Sequence, residues 1–189
     1  MTEKIGDKMD LKRKFLNIFK NKAEINGDII NVTEFLNHLV DFTALELIVD
    51  YFEYKLRNTE FNKFITVESS GIIFTSALAY KMKKDFVVVK KKLPITIDDY
   101  YSVSSFSFTK QEKTELFISK NVIRNGEKLV FIDDFYAHGN TFDAVKELCS
   151  EAGGEIVASA VVVNKSNESD IISLITKSDL KNFMEDVYE

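Results

Sequence analysis

The chain has one cysteine, one proline and two histidines in 189 residues, and each scarcity removes a class of answer. A lone Cys149 cannot close a disulfide within the chain; on the apolar face of a helical segment it reads as inert packing. His38 and His138 stand far apart without cysteine companions, so neither belongs to a metal-ligand pattern. One proline and seven glycines leave no low-complexity linker. No apolar run approaches the length of a membrane span, and Met1 to Lys14 alternates charges without the apolar core of a signal peptide, which points to a cytoplasmic protein. Acidic residues outnumber basic ones, 30 to 25, giving a net charge of -5 and a pI near 5.2; that balance argues against a dedicated nucleic-acid binder. Walker, Gly-x-Ser-x-Gly and His-Glu-x-x-His sequences are all missing, so P-loop and hydrolase readings have no support.

What remains is 45% hydrophobic and 29% charged, the composition of a soluble globular protein. Its length suits one well-buried domain, residues 1–189, and is too short for two ordinary ones. Leu11, Phe15, Ile18 and Phe19 fall at helical spacing behind Asp10, and Leu45, Ile48, Val49, Phe52 and Leu56 do so again. Between these helices Ile29 to Thr33 reads as a short strand and Phe35-Leu36-Asn37-His38 as extended chain. A strand Phe64 to Val67, a turn Glu68-Ser69-Ser70-Gly71, a helix Ile72 to Met82 and a strand Phe86 to Val89 form a βαβ unit. Leu129 to Ile132, a helix Phe142 to Ala152 stopped by Gly153-Gly154, and Ile156 to Val163 form another. Repeated units of this kind predict an α/β fold, a parallel sheet flanked by helices with ligands at the carboxyl ends of its strands. Ile95 to Ser119 breaks the rhythm with Ser, Thr, Tyr and Phe and reads as a hairpin, either a flap over a site or an edge packed on the sheet.

The stretch from Leu129 to Thr141 carries the most chemistry. An apolar strand runs into Asp133 and Asp134, then Phe135-Tyr136-Ala137-His138-Gly139-Asn140-Thr141 turns into a helix for which Thr141 is the expected N-cap. Amides at a helix start have no intrahelical partner and the dipole is positive there, so the turn can hold a phosphate without a basic side chain. The two carboxylates stand where sugar hydroxyls would reach them. Ser69, Ser70 and Gly71 form a second strand-to-helix turn that suits another phosphate, with ordinary helix capping as the competing explanation. Lys90-Lys91-Lys92 and Lys165 put positive charge at the same end of the sheet, where a solvated basic surface is the plainer alternative.

The order strand, two acids, short turn, Gly and Thr resembles the PRPP-binding motif of type I phosphoribosyltransferases, whose usual ending is Thr-Gly-Gly-Thr; here it is His138-Gly139-Asn140-Thr141. Within that class the chain is similar to the bacterial xanthine phosphoribosyltransferases. Four segments carry the likeness: Phe35-Leu36-Asn37-His38, Thr66 to Ile72, Ser105-Phe106-Ser107-Phe108-Thr109-Lys110-Gln111, and Ile132 to Phe135 with its following loop. The resemblance implies a type I phosphoribosyltransferase fold with a small N-terminal hood and a flexible flap. It implies a homodimer that converts xanthine and PRPP to xanthosine 5′-monophosphate and pyrophosphate, with Mg²⁺ arriving on PRPP rather than on a protein metal site. It places catalysis on Asp133 and Asp134, PRPP on Ala137, His138, Gly139, Asn140, Thr141, Ser69, Ser70 and Gly71, and the purine on Ile30, Asn37 and Lys165. A lysine there donates a charge-assisted hydrogen bond to a purine oxygen, which favours oxo-purines over adenine. The chain departs at Ala137, where the hypoxanthine-guanine branch has an acid, so the loop offers no obvious general base. Two other readings share the motif: a purine-operon repressor that binds PRPP as an effector, and a phosphoribosyltransferase for another nucleobase. The repressors add a winged-helix domain, for which one short helix before Ile29 is too little. Neither nucleic acid nor a membrane is an expected partner.

Overall fold

The computed structural model describes residues 6–96, 98–107 and 112–185. A five-stranded parallel sheet has the order β4-β3-β7-β8-β9, built from β3 (Lys63–Val67), β4 (Asp85–Val89), β7 (Lys128–Tyr136), β8 (Glu155–Asn164) and β9 (Ile172–Ile175). Helices α1 (Gly6–Lys22), α2 (Phe42–Leu56) and α3 (Gly71–Met82) cover one face, with α5 (Lys177–Glu185) at its edge; α4 (Asn140–Glu151) covers the other. Strand alternation feeds both layers: Phe64, Val130, Ile132, Ala160 and Val162 pack toward α1 to α3. Ile65, Phe131 and Val161 pack toward Val145, Leu148 and Cys149 of α4. This is the expected α/β architecture.

The helices form for local reasons and stay for tertiary ones. Asp41 caps α2 by accepting from the Ala44 amide at 2.9 Å, and the same carboxylate takes the Lys22 ammonium at 2.6 Å, which ties the end of α1 to the start of α2. Ile48, Phe52 and Leu56 are fully buried beneath it, each burial favouring the fold by about 1.5–3 kcal/mol. Asp10 proves to be interior to α1, paired with Arg13 and Lys14 one turn on at 2.8 and 2.6 Å. At the far end of α4 Gly153 adopts φ +81° and the Gly154 amide reaches back to Cys149 at 2.7 Å, the stop read from the glycine pair.

Several readings need correction. β7 does not end at Ile132 but runs on to Tyr136, because β8 pairs with it through Asp133↔Val161 and Phe135↔Val163. α4 starts at Asn140 with Gly139 as N-cap, so Thr141 lies inside its first turn rather than capping it. Phe35 to His38 is a chain of turns, not extended: Asn31 Oδ1 accepts from the Thr33 amide at 3.0 Å, and the Leu36 and Leu39 amides return to Val32 and Thr33. That folding buries Phe35 and Leu36 completely or nearly so. The strand before it is one arm of a hairpin, β1 (Glu24–Asn26) with β2 (Ile29–Asn31), which together with α1 makes the small N-terminal hood.

The segment expected as a hairpin is one: β5 (Tyr100–Ser107) pairs with β6 (Glu112–Ser119). Its base is built into the molecule, since Leu116 and Ile118 are buried in the α4-side core. Lys90 and Phe117 also exchange backbone hydrogen bonds of 2.9 Å each. Phe108-Thr109-Lys110-Gln111 lie outside the described residues. No helix among the described residues is long and apolar enough to cross a membrane.

Candidate active site

The chain leaves β3 in one direction across the sheet, toward β4, and leaves β7 in the other, toward β8 and β9. The crevice between β3 and β7 is therefore the point where the winding reverses, the usual ligand position in an open parallel sheet. β3 pairs with β7 only as far as Ile65↔Phe131. Beyond Phe131, β7 continues on β8 alone, and the residues it carries past that point are the two carboxylates.

Asp133 and Asp134 each turn back on the chain, accepting at 2.9 Å from the amides of Asp134 and Phe135. Asp133 keeps some contact with solvent at its surface, yet protein surrounds it in depth. Burial, and then the neighbouring Asp134 charge, push its carboxyl well above the usual range. Two adjacent acids of this kind suit a partner rich in hydroxyls or one that brings positive charge.

The two turns flank them. From β3, Glu68 enters through a cis Glu68–Ser69 peptide, and Ser70 precedes α3 without any side-chain capping bond, so side-chain capping does not account for Ser70. Glu68 was not singled out in the sequence, yet it fastens the turn to the end of β4, its carboxylate taking the Lys91 amide at 2.7 Å and the Lys90 ammonium at 3.3 Å. Burial raises its pKa, but those two donors outweigh it and hold the group below the usual carboxylate value. Lys90 is thus committed to an ion pair rather than standing as a bare basic patch. Gly71 closes the turn against β7: a Cβ there would lie 2.3 Å from Thr66 Oγ1 and 2.9 Å from Asp133 Oδ1.

On the other side Ala137, His138 and Gly139 bend between β7 and α4. Gly139 sits at φ +81°, a conformation that favours glycine, and its Cα faces the Tyr136 hydroxyl, which would be 2.7 Å from a Cβ. The first-turn amides of α4 have no carbonyl ahead of them within the helix. Ser105 of β5 donates to the Asn140 carbonyl at 3.3 Å, so the hairpin leans on this loop.

A third wall comes from β8 and the hood. The Lys165 amide donates to Tyr136 O at 2.7 Å, which sets the lysine beside the loop, and its ammonium reaches the Asp28 carbonyl at the tip of the β1–β2 hairpin. Ile30, half-buried, is on the second arm of that hairpin. Buried Asn164 shapes the turn after Lys165 by donating to Glu168 O and accepting from Ser166. Asn37 lies in the turns leading to α2 with its amide oxygen on the His38 amide, 2.8 Å away. The structure thus joins Lys165 to the hood and Gly71 to Asp133. No contact of these kinds draws Asn37 to Lys165. Among the described residues no group of three or more His, Cys, Asp and Glu side chains gathers for a metal.

A phosphoribosyl transferase domain matches residues 36–182. Curated relatives include the xanthine phosphoribosyltransferases of Shouchella clausii, 30% identical over 79% of this chain and 75% of that protein, and of a Bacillus cereus strain, 32% identical over 75% and 73%. That of Finegoldia magna is 30% identical over 78% of each. Among solved structures, the adenine phosphoribosyltransferase of Thermoanaerobacter pseudethanolicus superposes with a TM-score of 0.71 at 25% identity, over 85% of this chain and 99% of that one. The enzyme of Giardia lamblia complexed with 9-deazaadenine gives 0.72 at 18%, over 85% and 97%, a likeness of fold. With its switch-point carboxylates between two strand-to-helix turns, the chain belongs to the phosphoribosyltransferase family.

Proposed function

We propose that the protein is a purine-salvage enzyme that transfers the 5-phosphoribosyl group of PRPP to xanthine, releasing xanthosine 5′-monophosphate and pyrophosphate. The observation that carries this reading is the placing of Asp133 and Asp134 between two helix N-termini at the switch point, with Lys165 and the hood on the third side. The xanthine phosphoribosyltransferases among its relatives support the choice of base.

The residues divide the work by chemistry. Ala137, His138, Gly139, Asn140 and Thr141 wrap the 5′-phosphate, Asp133 and Asp134 accept from the ribose hydroxyls, and Ser69, Ser70 and Gly71 receive the pyrophosphate. Mg²⁺ would come with PRPP rather than on a protein site, and would there offset charge on the leaving pyrophosphate. The C1–O bond breaks with its electron pair leaving on pyrophosphate, a C1–N bond to the purine forms, and the proton of the purine nitrogen passes to water. Positioning and charge stabilisation dominate such a step. With alanine at 137 the loop supplies no carboxylate to take that proton, which suits a base that ionises readily, as xanthine does. Lys165 spends one of its three donors on Asp28 and has the others for a purine oxygen, while Ile30 packs against the ring and Asn37 completes the base pocket. The contact of the hairpin with the Asn140 carbonyl supports a role for it in keeping water from the reacting carbon. We take the working unit to be a cytoplasmic homodimer, which light scattering on the purified protein tests.

The decisive assay measures kcat/KM with PRPP and Mg²⁺ over xanthine, guanine, hypoxanthine, adenine and uracil. Xanthine should lead, and Lys165→Ala should remove most of its advantage over adenine. A preference for adenine would overturn the base assignment. Tight PRPP binding without turnover of any base would favour a regulatory role.

A further inference from the structure

Thr66 is fully buried in β3, and its Oγ1 is, among the described residues, a buried side-chain oxygen with no hydrogen-bond partner. Such atoms are uncommon in folded proteins because an unspent buried hydroxyl destabilises the fold, so one that persists calls for a reason. Its surroundings supply one. Thr66 Oγ1 and Asp133 Oδ1 flank the same point over the Gly71 Cα, at 2.3 and 2.9 Å from where a Cβ would stand. The other buried threonine beside this glycine, Thr75, is satisfied: its hydroxyl donates to the Gly71 carbonyl at 2.7 Å. One threonine therefore anchors Gly71 from within α3, while the other lies between β3 and the site carboxylate with its donor unused. Thr66 lies outside the Ser69–Gly71 and Ala137–Thr141 turns and is not among the residues assigned to the base.

We propose that Thr66 is a positioning residue whose hydroxyl donates to the Asp133 carboxylate when PRPP binds, fixing the carboxylate toward the ribose and holding the Ser69–Gly71 turn at its working distance from β7. The inference rests on the PRPP reading above. A ribose hydroxyl donating to one Asp133 oxygen draws the carboxyl into its ionised form, and an ionised carboxylate needs a further donor on its protein side. Thr66 is the hydroxyl at that side; Asp134 is the like charge beside it, and Lys91 is the cation that acts on it from the end of β4.

The test compares wild type with Thr66→Val, Thr66→Ser and Thr66→Ala. Valine keeps the shape and loses the hydroxyl, so it should fold with an unchanged or higher Tm, since an unsatisfied polar atom is removed. The KM for PRPP should rise about tenfold, with the KM for the purine unchanged at saturating PRPP. Serine keeps the hydroxyl and should restore PRPP binding. Should valine not fold, alanine against serine isolates the same hydroxyl, as both lack the methyl. Wild-type PRPP affinity in every hydroxyl-free variant, or loss confined to Tm, would overturn the proposal. Calorimetric titration of PRPP with Mg²⁺ into each protein reads the contact without turnover. If wild type binds PRPP but transfers it to no base, the enzyme reading fails while the hydroxyl comparison still decides this one; if PRPP does not bind, both fail.

Discussion

Gly71→Ala probes the junction on which the site depends. Alanine at a helix start normally gains up to about 1 kcal/mol through propensity and a less disordered unfolded chain, and Gly71 has no positive φ to oppose it. Here the new methyl would stand 2.3 Å from Thr66 Oγ1, 2.9 Å from Asp133 Oδ1 and 3.4 Å from Ile132 O. Thr66 is enclosed in the sheet and cannot swing away, so the start of α3 has to move. Overpacking of that kind costs about 1–3 kcal/mol, which exceeds the propensity gain. The net loss of about 1 kcal/mol lowers Tm by roughly 2–4 °C in a chain of this size. With the turn receiving pyrophosphate as proposed, activity should report the displacement far more strongly, because a shift of about 1 Å in a positioning group costs about 100-fold in rate. Calorimetry and PRPP-dependent kcat/KM give the two numbers. Thr66→Ala/Gly71→Ala should recover part of the Tm, since the nearest overlap is gone. Wild-type stability and rate in Gly71→Ala alone would mean that the turn and β7 do not meet as described.

The parts of this fold that were legible in the sequence are those whose cause is local. Phe64 to Val67 and Leu129 to Ile132 are short apolar runs followed by turn residues and amphipathic segments, so two βαβ units and the carboxyl ends of their strands could be read directly. Asp133 and Asp134 read as the end of a strand because carboxylates are poor strand formers; what keeps them in β7 is the pairing of Asp133 with Val161 and of Phe135 with Val163, a tertiary effect no local pattern carries. Other elements carry local signals of their own. Gly27-Asp28 is a two-residue hairpin turn sequence and closes β1–β2, with Gly27 at φ +58°. Thr176 and Asp179 form a reciprocal cap, Asp179 Oδ2 taking the Thr176 amide at 2.8 Å and Thr176 Oγ1 the Asp179 amide at 3.2 Å, and it opens α5. Within the site, the carboxylates and both turns follow from strand-turn-helix order, whereas the reach of Lys165 to Asp28 spans 137 positions. Glu68 illustrates the same limit: it becomes informative only when the end of β4 is beside it.

Three further outcomes follow from named contacts. Gly139→Ala should raise the KM for PRPP and lower Tm, because the residue sits at φ +81° with the Tyr136 hydroxyl against its Cα; adding Tyr136→Phe should relieve the contact but not the backbone strain, and an unchanged KM in Gly139→Ala refutes the loop's role. Cys149 is fully buried and burial pushes its thiol up to about 12, so an aromatic disulfide reagent at pH 8 should react only on unfolding, and prompt labelling of the native protein would contradict the packing of α4. Asp133→Asn should separate stability from function. The folded-state pKa of Asp133 is raised above its ordinary 3.8 by burial and the Asp134 charge, so what the protonated group contributes to stability is present below the unfolded pKa and lost as pH rises through the folded one. At pH 7 the wild type carries that loss; asparagine, neutral at every pH, does not. Asp133→Asn should therefore melt higher than wild type at neutral pH, with the difference shrinking toward pH 4, while turnover falls severely, more so with Asp134→Asn added. Thermal melts across pH and kcat with saturating PRPP check the two halves independently. A variant that melts lower at pH 7 would show that Asp133 holds the fold together rather than the ribose, and one that keeps its turnover would remove the carboxylate from the reaction.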